Sequence, residues 1–268
     1  MNYYPQDHTF VICAYKESKY LEECVKSLIT QSVKSKIIIA TSTPNSHINA
    51  VSEKYGISVY VNKGEKGIGG DWNFAYSAAQ SPLVTIAHQD DIYESDYAKE
   101  MLECLNRSKN PILYFSSYYE LRNYKKIYNN KLLKIKRIML YPLKIKAFQS
   151  IKFIRRMILS FGCPICCPAV TFIKDRVGEN PFTNDFLSDI DWQQWEIQSR
   201  KIGSFVYNPK PLMCHRIHKA SATTEIIGDS KRSEEDYEMF LKFWPKLIAK
   251  LMAKLYKNSE KSNEVINE

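Results

Sequence analysis

A short apolar run that ends abruptly in polar and charged side chains constrains this chain more than any other stretch. Residues 83–87 (Leu-Val-Thr-Ile-Ala) have the composition of a β-strand buried on both faces, and His88, Gln89, Asp90 and Asp91 follow at once. Two adjacent carboxylates at the end of a buried strand are costly unless a positive group neutralises them. The usual occupant is a hard divalent cation, Mg²⁺ or Mn²⁺. The alternative is a turn in which Asp91 caps a following helix.

Strand and helix patterns alternate along most of the chain. Predicted strands cover residues 9–14, 36–40, 57–61, 83–87, 112–119, 169–174 and 204–207, and predicted helices cover 19–31, 45–55, 71–79 and 95–106. A loop and a further helix are predicted over 186–201. Strands that alternate with helices across short loops indicate an α/β fold with a mostly parallel sheet flanked by helices. After the last strand, Pro209–Pro211 is predicted to form a rigid turn. A terminal helix is predicted from about Ser230, with Pro245 kinking or restarting it and a frayed polar end.

Residues 63–70 (Lys-Gly-Glu-Lys-Gly-Ile-Gly-Gly) form a glycine-rich stretch that leads into a predicted helix. It is not a Rossmann fingerprint, which belongs after the first strand. A glycine-rich loop before a helix brings backbone N–H groups close to a phosphate. The alternative is a surface loop without a ligand.

The positive charge of the chain is concentrated in one segment. Twelve Lys or Arg residues and no Asp or Glu lie between Leu121 and Ser160, which exceeds the net charge of +9 of the whole chain. Nucleic acid, an anionic membrane surface or a phosphorylated substrate would each account for this segment. Apolar residues at helical spacing within it indicate amphipathic helices, and no nucleic-acid fold signature is present, which argues against nucleic acid.

The predicted terminal helix adds a second basic surface, because Lys246, Lys250, Lys254 and Lys257 line one side of it. We therefore expect binding to an anionic membrane. A solvated charged face with an oligomer contact is the alternative, which leaves a homo-oligomer open.

The sequence contains no apolar run of membrane-spanning length, and residues 1–8 are too polar for a signal peptide. The seven cysteines lack zinc-ligand spacing, which favours buried reduced thiols. We expect a cytoplasmic protein, peripheral on the inner face of the cell membrane.

The order of these features resembles the family 2 glycosyltransferases with the GT-A fold, and in particular those of bacterial cell-surface polysaccharide synthesis. The resemblance covers roughly residues 9–223. Five motifs carry it: Ala14-Tyr15-Lys16-Glu17, the stretch Gly67 to Asn73, His88-Gln89-Asp90-Asp91, Asp191-Trp192 and Arg216-Ile217-His218. Each motif is weak alone, but five in the right order are fairly specific. The resemblance implies a GT-A domain over residues 1–227, with the basic insert at about 121–165. Residues 228–268 would form a C-terminal amphipathic helix and a polar tail.

The resemblance also implies an activity and the residues that perform it. An inverting enzyme would move a sugar from a nucleotide-diphosphate sugar to a hydroxyl of a glycan or lipid-diphosphate-linked acceptor. A divalent cation, Mn²⁺ or Mg²⁺, would neutralise the diphosphate and be held by Asp90 and Asp91, with His218 as a third ligand or a phosphate partner. Asp191 would take the acceptor proton, and Asp189 would only cap the helix. Contacts to the nucleotide sugar are implied for Ala14, Tyr15, Glu17, Thr41, Ser42, Gly67, Gly70, Asn73, Asp90 and Arg216.

The chain departs from the family pattern in two places. The family usually has acidic residues after the second strand, one of which contacts the base, whereas residues 40–43 here are Ala-Thr-Ser-Thr. Their hydroxyls suit a pyrimidine edge, but uridine, thymidine and guanosine donors all stay open. The family's metal motif often opens with Asp where this chain has His88, so a contact between His88 and the metal stays open too. A nucleotidyltransferase acting on a sugar phosphate and a catalytically silent membrane-associated module are the competing functions.

Overall fold

The computed structural model describes residues 2–218 and 230–260 of the chain. The strands are β1 (His8–Ala14), β2 (Lys36–Thr41), β3 (Ser58–Val61), β4 (Leu83–His88), β5 (Ile92–Tyr93), β6 (Pro111–Arg122), β7 (Lys125–Ile127), β8 (Val170–Ile173) and β9 (Ser204–Ile217). The helices are α1 (Leu21–Ile29), α2 (Ser46–Tyr55), α3 (Ile68–Ala78), α4 (Tyr97–Asn106), α5 (Lys131–Met139), α6 (Lys152–Leu159), α7 (Lys174–Val177), α8 (Ile190–Ser199), α9 (Ser230–Leu241) and α10 (Lys246–Glu260).

The strands form one sheet in the order β3-β2-β1-β4-β8-β6-β9-β5, with β7 beside β6. Strands β3, β2, β1 and β4 pair in parallel, as do β6 and β9. Strand β8 runs antiparallel to both β4 and β6, so the two parallel groups point the same way. The predicted mostly parallel sheet is confirmed. In such a sheet the carboxyl ends of the parallel strands meet at one edge, where ligands bind.

The sheet separates two apolar layers, because successive strand residues point to opposite faces. Phe10 and Ile12 of β1 pack with helices α1, α2 and α4 on one face. Val11 belongs to the apolar layer on the other face, which also contains residues of α3, α6, α8, α9 and α10. Helix α2 has the predicted ends, since Asn45 accepts the Ile48 N–H and Gly56 adopts a left-handed φ of 64°.

Strand β9 corrects one prediction from the sequence. Pro209–Pro211 does not form a turn that ends a strand. It lies in a bulge, where the register with β6 shifts from Ser116↔Asn208 to Ser117↔Pro211 and β9 then continues to Ile217. A proline can sit in a strand at a bulge because the ladder hydrogen bonds are interrupted there. The continuation of β9 pairs with β5, directly after Asp91, and so brings His215 and Arg216 to the end of β4.

The basic insert contains α5 and α6, as predicted, and Pro245 separates α9 from α10. All seven cysteines lie in the described ranges and are free thiols. Within residues 2–218 and 230–260, each helix is too short or too polar to cross a membrane. The predicted boundary at residues 227/228 and most of the polar tail lie outside the described residues.

Candidate active site

The carboxyl ends of β1, β2 and β4 gather most of the residues predicted for donor binding. Ala14 ends β1, Thr41 ends β2, and the Asp pair follows β4 after one residue. The strands pair in parallel, with Ala14 opposite Thr41 and Cys13 opposite His88. These side chains therefore lie along one edge of the sheet.

Asp91 is fully buried and is held from the β9 side. Its Oδ1 accepts the backbone N–H of Arg216 at 2.9 Å and lies 3.1 Å from His215 Nδ1. Burial alone would lower the pKa of His215, but the Asp91 carboxylate outweighs it and raises that pKa. On its other side, Asp91 Oδ2 lies 3.9 Å from His88 Nδ1. Asp91 thus fixes the junction between β4, β5 and β9.

Asp90 faces the predicted third ligand. Its Oδ2 lies 2.8 Å from His218 Nε2. Burial acts to raise the pKa of Asp90, but the hydrogen bond with His218 and the nearby imidazoles lower it. The Asp90 side chain is therefore a carboxylate at neutral pH, with an imidazole nitrogen beside it. The structure brings together this pair from positions 128 residues apart.

The chemistry of this pair fits a divalent cation. A carboxylate oxygen and an imidazole nitrogen are donors that Mn²⁺ accepts, and Mg²⁺ takes the carboxylate. In the described residues, no group of three or more His, Cys, Asp or Glu side chains forms a metal cage. Magnesium in nucleotide sites commonly has only one or two carboxylates, and substrate phosphates and waters complete its coordination. Two protein donors beside a bound diphosphate meet that requirement.

Arg216, predicted to contact the donor, already has three partners in the structure. Its Nε donates to the Asp90 carbonyl at 2.8 Å, its Nη2 pairs with Glu23 at 2.5 Å, and its guanidinium lies 4.2 Å from the Tyr20 ring centroid. The ring of Tyr20 also packs against His218 at 4.9 Å. The guanidinium is therefore a brace that fixes the backbone at Asp90 and the position of His218.

His88 is enclosed by aromatic and acidic groups. Its ring stacks on Trp72 with centroids 5.2 Å apart, and its Nε2 is buried without a hydrogen-bond partner in the structure. Burial lowers the pKa of His88, and the carboxylates of Asp91, Asp90 and Asp191 oppose that shift. The imidazole is therefore neutral and links the Asp pair to helix α3 through its stack with Trp72.

The loop after β1 is tied to the residue that precedes Asp90. Gln89 accepts the Tyr15 N–H at 3.1 Å and donates to the Tyr15 carbonyl at 2.9 Å. Tyr15 and Glu17 are exposed, and Ala14 is buried. At the end of β2 the Thr41 hydroxyl is buried and accepts the Thr43 N–H at 3.0 Å, so it supports the turn there.

Three residues of the predicted motif Gly67 to Asn73 shape the start of α3. Gly67 is the N-cap with φ of 96°, which favours glycine. A Cβ on Gly70 would lie 2.5 Å from the Glu65 carbonyl oxygen, so only glycine permits this close approach. The Asn73 side chain donates to the Phe182 carbonyl and accepts the Phe182 N–H, at 2.7 and 2.9 Å. Asn73 therefore joins α3 to the segment before α8.

Asp191, the predicted base, lies in the first turn of α8. Its Oδ1 accepts the Trp192 N–H at 2.7 Å, and the Cys163 thiol donates to its Oδ2 at 3.7 Å. Burial raises the pKa of Asp191, while Lys136 of the basic insert acts to lower it. A raised pKa makes a carboxylate a better proton acceptor near neutral pH, which is the property that a general base needs.

Asp189 corrects a second prediction. It occupies the N-cap position of α8, but its side chain makes no capping hydrogen bond. Glu235 of α9 instead holds the segment that leads into α8: its carboxylate accepts the N–H groups of Leu187, Ser188 and Asp189 at 2.8, 2.8 and 3.2 Å. The Asp189 carboxyl is buried instead, and burial and then the neighbouring Asp236 raise its pKa well above the usual range.

This arrangement predicts that Asp189→Asn stabilises the protein at neutral pH. An acid whose folded-state pKa is raised contributes stability below its unfolded pKa, and loses it as pH rises through the folded value. The variant keeps the shape without the buried charge. Its melting temperature should match that of the wild type near pH 4 and exceed it at pH 8, by thermal unfolding. If Asp189→Asn is less stable than the wild type at both pH values, the result would support a capping role for Asp189.

Comparisons with known proteins identify the family and the fold of this chain. The profile of the family described as "Glycosyl transferase family 2" matches residues 9–177. An uncharacterized glycosyltransferase of Rickettsia conorii is 23% identical over 245 residues, which cover 90% of this chain and 39% of that protein. The chain therefore spans about two fifths of the length of this curated relative.

Two solved structures share the fold. S. aureus TarS 1-349 in complex with UDP-GlcNAc has a TM-score of 0.60 and 13% identity, over 95% of this chain and 72% of that chain. The mannosyltransferase PcManGT from Pyrobaculum calidifontis, in complex with GDP-Man and Mn²⁺, has a TM-score of 0.59 and 12% identity, over 97% of this chain and 76% of that chain. The predicted GT-A fold is confirmed.

Proposed function

This chain belongs to glycosyltransferase family 2, and on that premise we propose that it transfers a sugar with inversion from a nucleotide-diphosphate sugar to an acceptor hydroxyl. The observation that carries the proposal is the Asp90–His218 pair at the carboxyl edge of the sheet, 2.8 Å apart. The raised pKa of Asp191 supports a separate proton acceptor. The nucleotide sugars in the two structural neighbours support the donor class.

In the proposed reaction the Asp191 carboxylate takes the acceptor hydroxyl proton as that oxygen attacks the anomeric carbon. The bond from this carbon to the diphosphate oxygen breaks, and its electron pair leaves with the nucleoside diphosphate. Attack opposite the leaving group inverts the configuration. A divalent cation held by Asp90 and His218, next to the buried Asp91, would stabilise the charge on the leaving diphosphate. The Mn²⁺ in the mannosyltransferase neighbour supports a divalent cation in this role.

A panel of sugar nucleotides tests the proposal. The purified chain is incubated with each donor, with and without Mn²⁺ or Mg²⁺, and nucleoside diphosphate release is measured. We expect release from at least one donor, dependent on metal. Pyrophosphate release from a nucleoside triphosphate and a sugar phosphate would instead identify a nucleotidyltransferase. A chain inactive in both assays would be a catalytically silent module.

We further propose that the enzyme works on an anionic membrane surface and glycosylates a lipid-diphosphate-linked glycan in cell-surface polysaccharide synthesis. Helix α10 supports this. Ala249 and Tyr256 pack against the core, whereas Leu247, Leu251 and Leu255 form an outer stripe with 86, 57 and 57% of their surfaces exposed. Lys246, Lys250, Lys254 and Lys257 accompany this stripe. An apolar stripe with lysines suits insertion among anionic lipid headgroups.

Vesicle flotation tests the membrane proposal. Each basic residue near an anionic leaflet contributes about 1 kcal/mol, so several lysines give salt-sensitive binding. We expect flotation with anionic vesicles at low salt, with marked loss for Lys250→Gln/Lys254→Gln. Lys99→Gln/Lys109→Gln, which removes two exposed lysines elsewhere, is the matched control. Wild-type protein that stays at the bottom at low salt would contradict the proposal, and concentration-dependent self-association through Leu251 would assign this face to an oligomer.

A further inference from the structure

A carboxylate is present at the donor edge although the end of β2 has none in its sequence. Asp71, in the first turn of α3, accepts a hydrogen bond from the Ser42 hydroxyl at 2.8 Å through Oδ2. Its Oδ1 accepts one from the Asn62 side-chain amide, also at 2.8 Å. Ser42 directly follows β2 and Asn62 directly follows β3. The Asp71 carboxylate thus lies beside the end of β2, where the family pattern has an acidic side chain and this sequence has none.

Asp71 lies near the carboxyl ends of three strands, β1, β2 and β3. The Asn62 N–H donates to the Thr41 carbonyl at 2.8 Å, which joins the ends of β2 and β3. Burial raises the pKa of the Cys13 thiol, near the end of β1, to about 12, and the Asp71 charge adds to this shift. The carboxylate therefore lies at the same sheet edge as the loop that follows Ala14. This edge is where the proposed nucleotide sugar would place its nucleoside.

The hydrogen-bond partners of Asp71 fix the orientation of its carboxylate but leave some of its acceptor positions free for a ligand. Each oxygen of an ionised carboxylate has two acceptor positions, and each Asp71 oxygen has one partner here. Asn62 is itself held by the Glu65 carbonyl and the Gly64 N–H, at 2.8 and 2.9 Å. Asp71 is only half-buried. A fixed, accessible carboxylate that only accepts hydrogen bonds selects for a ligand edge that donates them.

We propose that Asp71 reads the nucleobase of the donor, and that this base carries a ring N–H, as uracil, thymine and guanine do. This inference rests on the function proposed above for the same site. Cytosine and adenine present a ring-nitrogen lone pair at the corresponding position, which repels a carboxylate. Guanine offers a second donor, its amino group, beside the ring N–H. The acid comes from α3 in this chain, in place of the strand-end acid of the family pattern.

Binding of nucleoside diphosphates tests this inference without requiring transfer. UDP, dTDP, GDP, CDP and ADP are titrated in the presence of Mn²⁺ by calorimetry. We expect the tightest ligand to be UDP, dTDP or GDP, at least about tenfold tighter than CDP or ADP. Asp71→Asn should weaken that ligand by about tenfold to a hundredfold and narrow its advantage over CDP, because an amide both donates and accepts. Glu53→Gln, an exposed carboxylate on α2, is the matched control and should match the wild type.

The outcomes separate this inference from the proposed function. Wild-type preference for CDP or ADP, or an Asp71→Asn variant with an unchanged base profile, would overturn the role of Asp71 and leave the transferase intact. Failure of all five nucleotides to bind would overturn both. The wild-type base profile does not depend on the folding of any variant. A melting temperature for Asp71→Asn close to that of the wild type ensures that its loss of affinity reflects the site.

Discussion

Replacing Asp191 by Asn is expected to lower turnover by about 10²-fold or more, with donor binding nearly unchanged. The amide keeps the shape of the side chain and its contact with the Trp192 N–H, but it cannot take the acceptor proton. General-base removal usually has an effect of about this size. The measurement is steady-state kinetics with the active donor, together with calorimetric binding of its nucleoside diphosphate.

The pH profile gives this prediction a second readout. Because burial raises the pKa of Asp191, wild-type kcat should fall on the acid side at a higher pH than for an ordinary aspartate. The residual activity of Asp191→Asn should lack that acid limb. Asp189→Asn, two residues away and also in a buried setting, is the matched control and should keep both turnover and profile. If Asp189→Asn loses the activity and Asp191→Asn keeps it, the base has been assigned to the wrong residue.

Replacing Asp90 by Ala is expected to abolish transfer, with a loss of about 10³-fold or more. Metal-ion stabilisation of a leaving group is worth several kcal/mol, and each 1.36 kcal/mol is a factor of ten in rate. The variant removes the carboxylate beside His218 and leaves its backbone carbonyl to accept from Arg216. Binding of Mn²⁺ in the presence of nucleoside diphosphate, followed by electron paramagnetic resonance, should weaken in parallel.

Asp96→Ala controls for loss of an exposed carboxylate, since its side chain contacts only the Ser32 hydroxyl among the contacts described. It should keep wild-type activity and Mn²⁺ affinity. Adding a chelator to the wild-type enzyme should lower its activity as much as Asp90→Ala does. Full wild-type activity in chelator would remove the cation from the mechanism, and Mn²⁺ binding that survives in Asp90→Ala would move the site elsewhere.

Local sequence patterns were sufficient to predict most of the fold. Helix α2 had both of its ends marked, by Asn45 and Gly56, and the run before His88 was apolar enough to identify β4. The two-residue strand β5 and the bulge in β9 had no such local signal. Pro209 and Pro211 suggested a turn, because their tolerance inside a strand depends on the register with β6. Register is a property of two distant segments.

The residues of the candidate site were also predicted only where a local motif marks them. Neighbouring motif residues, such as Asp90 and Asp91, were predicted from the sequence, and their roles as ligands stay predictions. The structure adds that Asp91 is buried against β9, which no local pattern indicates. Glu235 and Asp71 were not predicted because their hydrogen-bond partners lie far from them in the sequence. Glu235 accepts from Ser188, and Asp71 accepts from Ser42. The family pattern has an acid after β2, whereas in this chain the carboxylate beside that strand end is Asp71 of α3, hydrogen-bonded to Ser42.

The configuration of the released sugar tests the central claim of inverting transfer most directly. Donor hydrolysis by the wild-type enzyme, with water as the acceptor, is followed by proton NMR from the first minutes, before the free sugar mutarotates. An α-linked sugar nucleotide should give the β-anomer first, and Asp191→Asn should slow its appearance. The α-anomer appearing first would mean retention of configuration, and would contradict a single displacement in which Asp191 acts as the base.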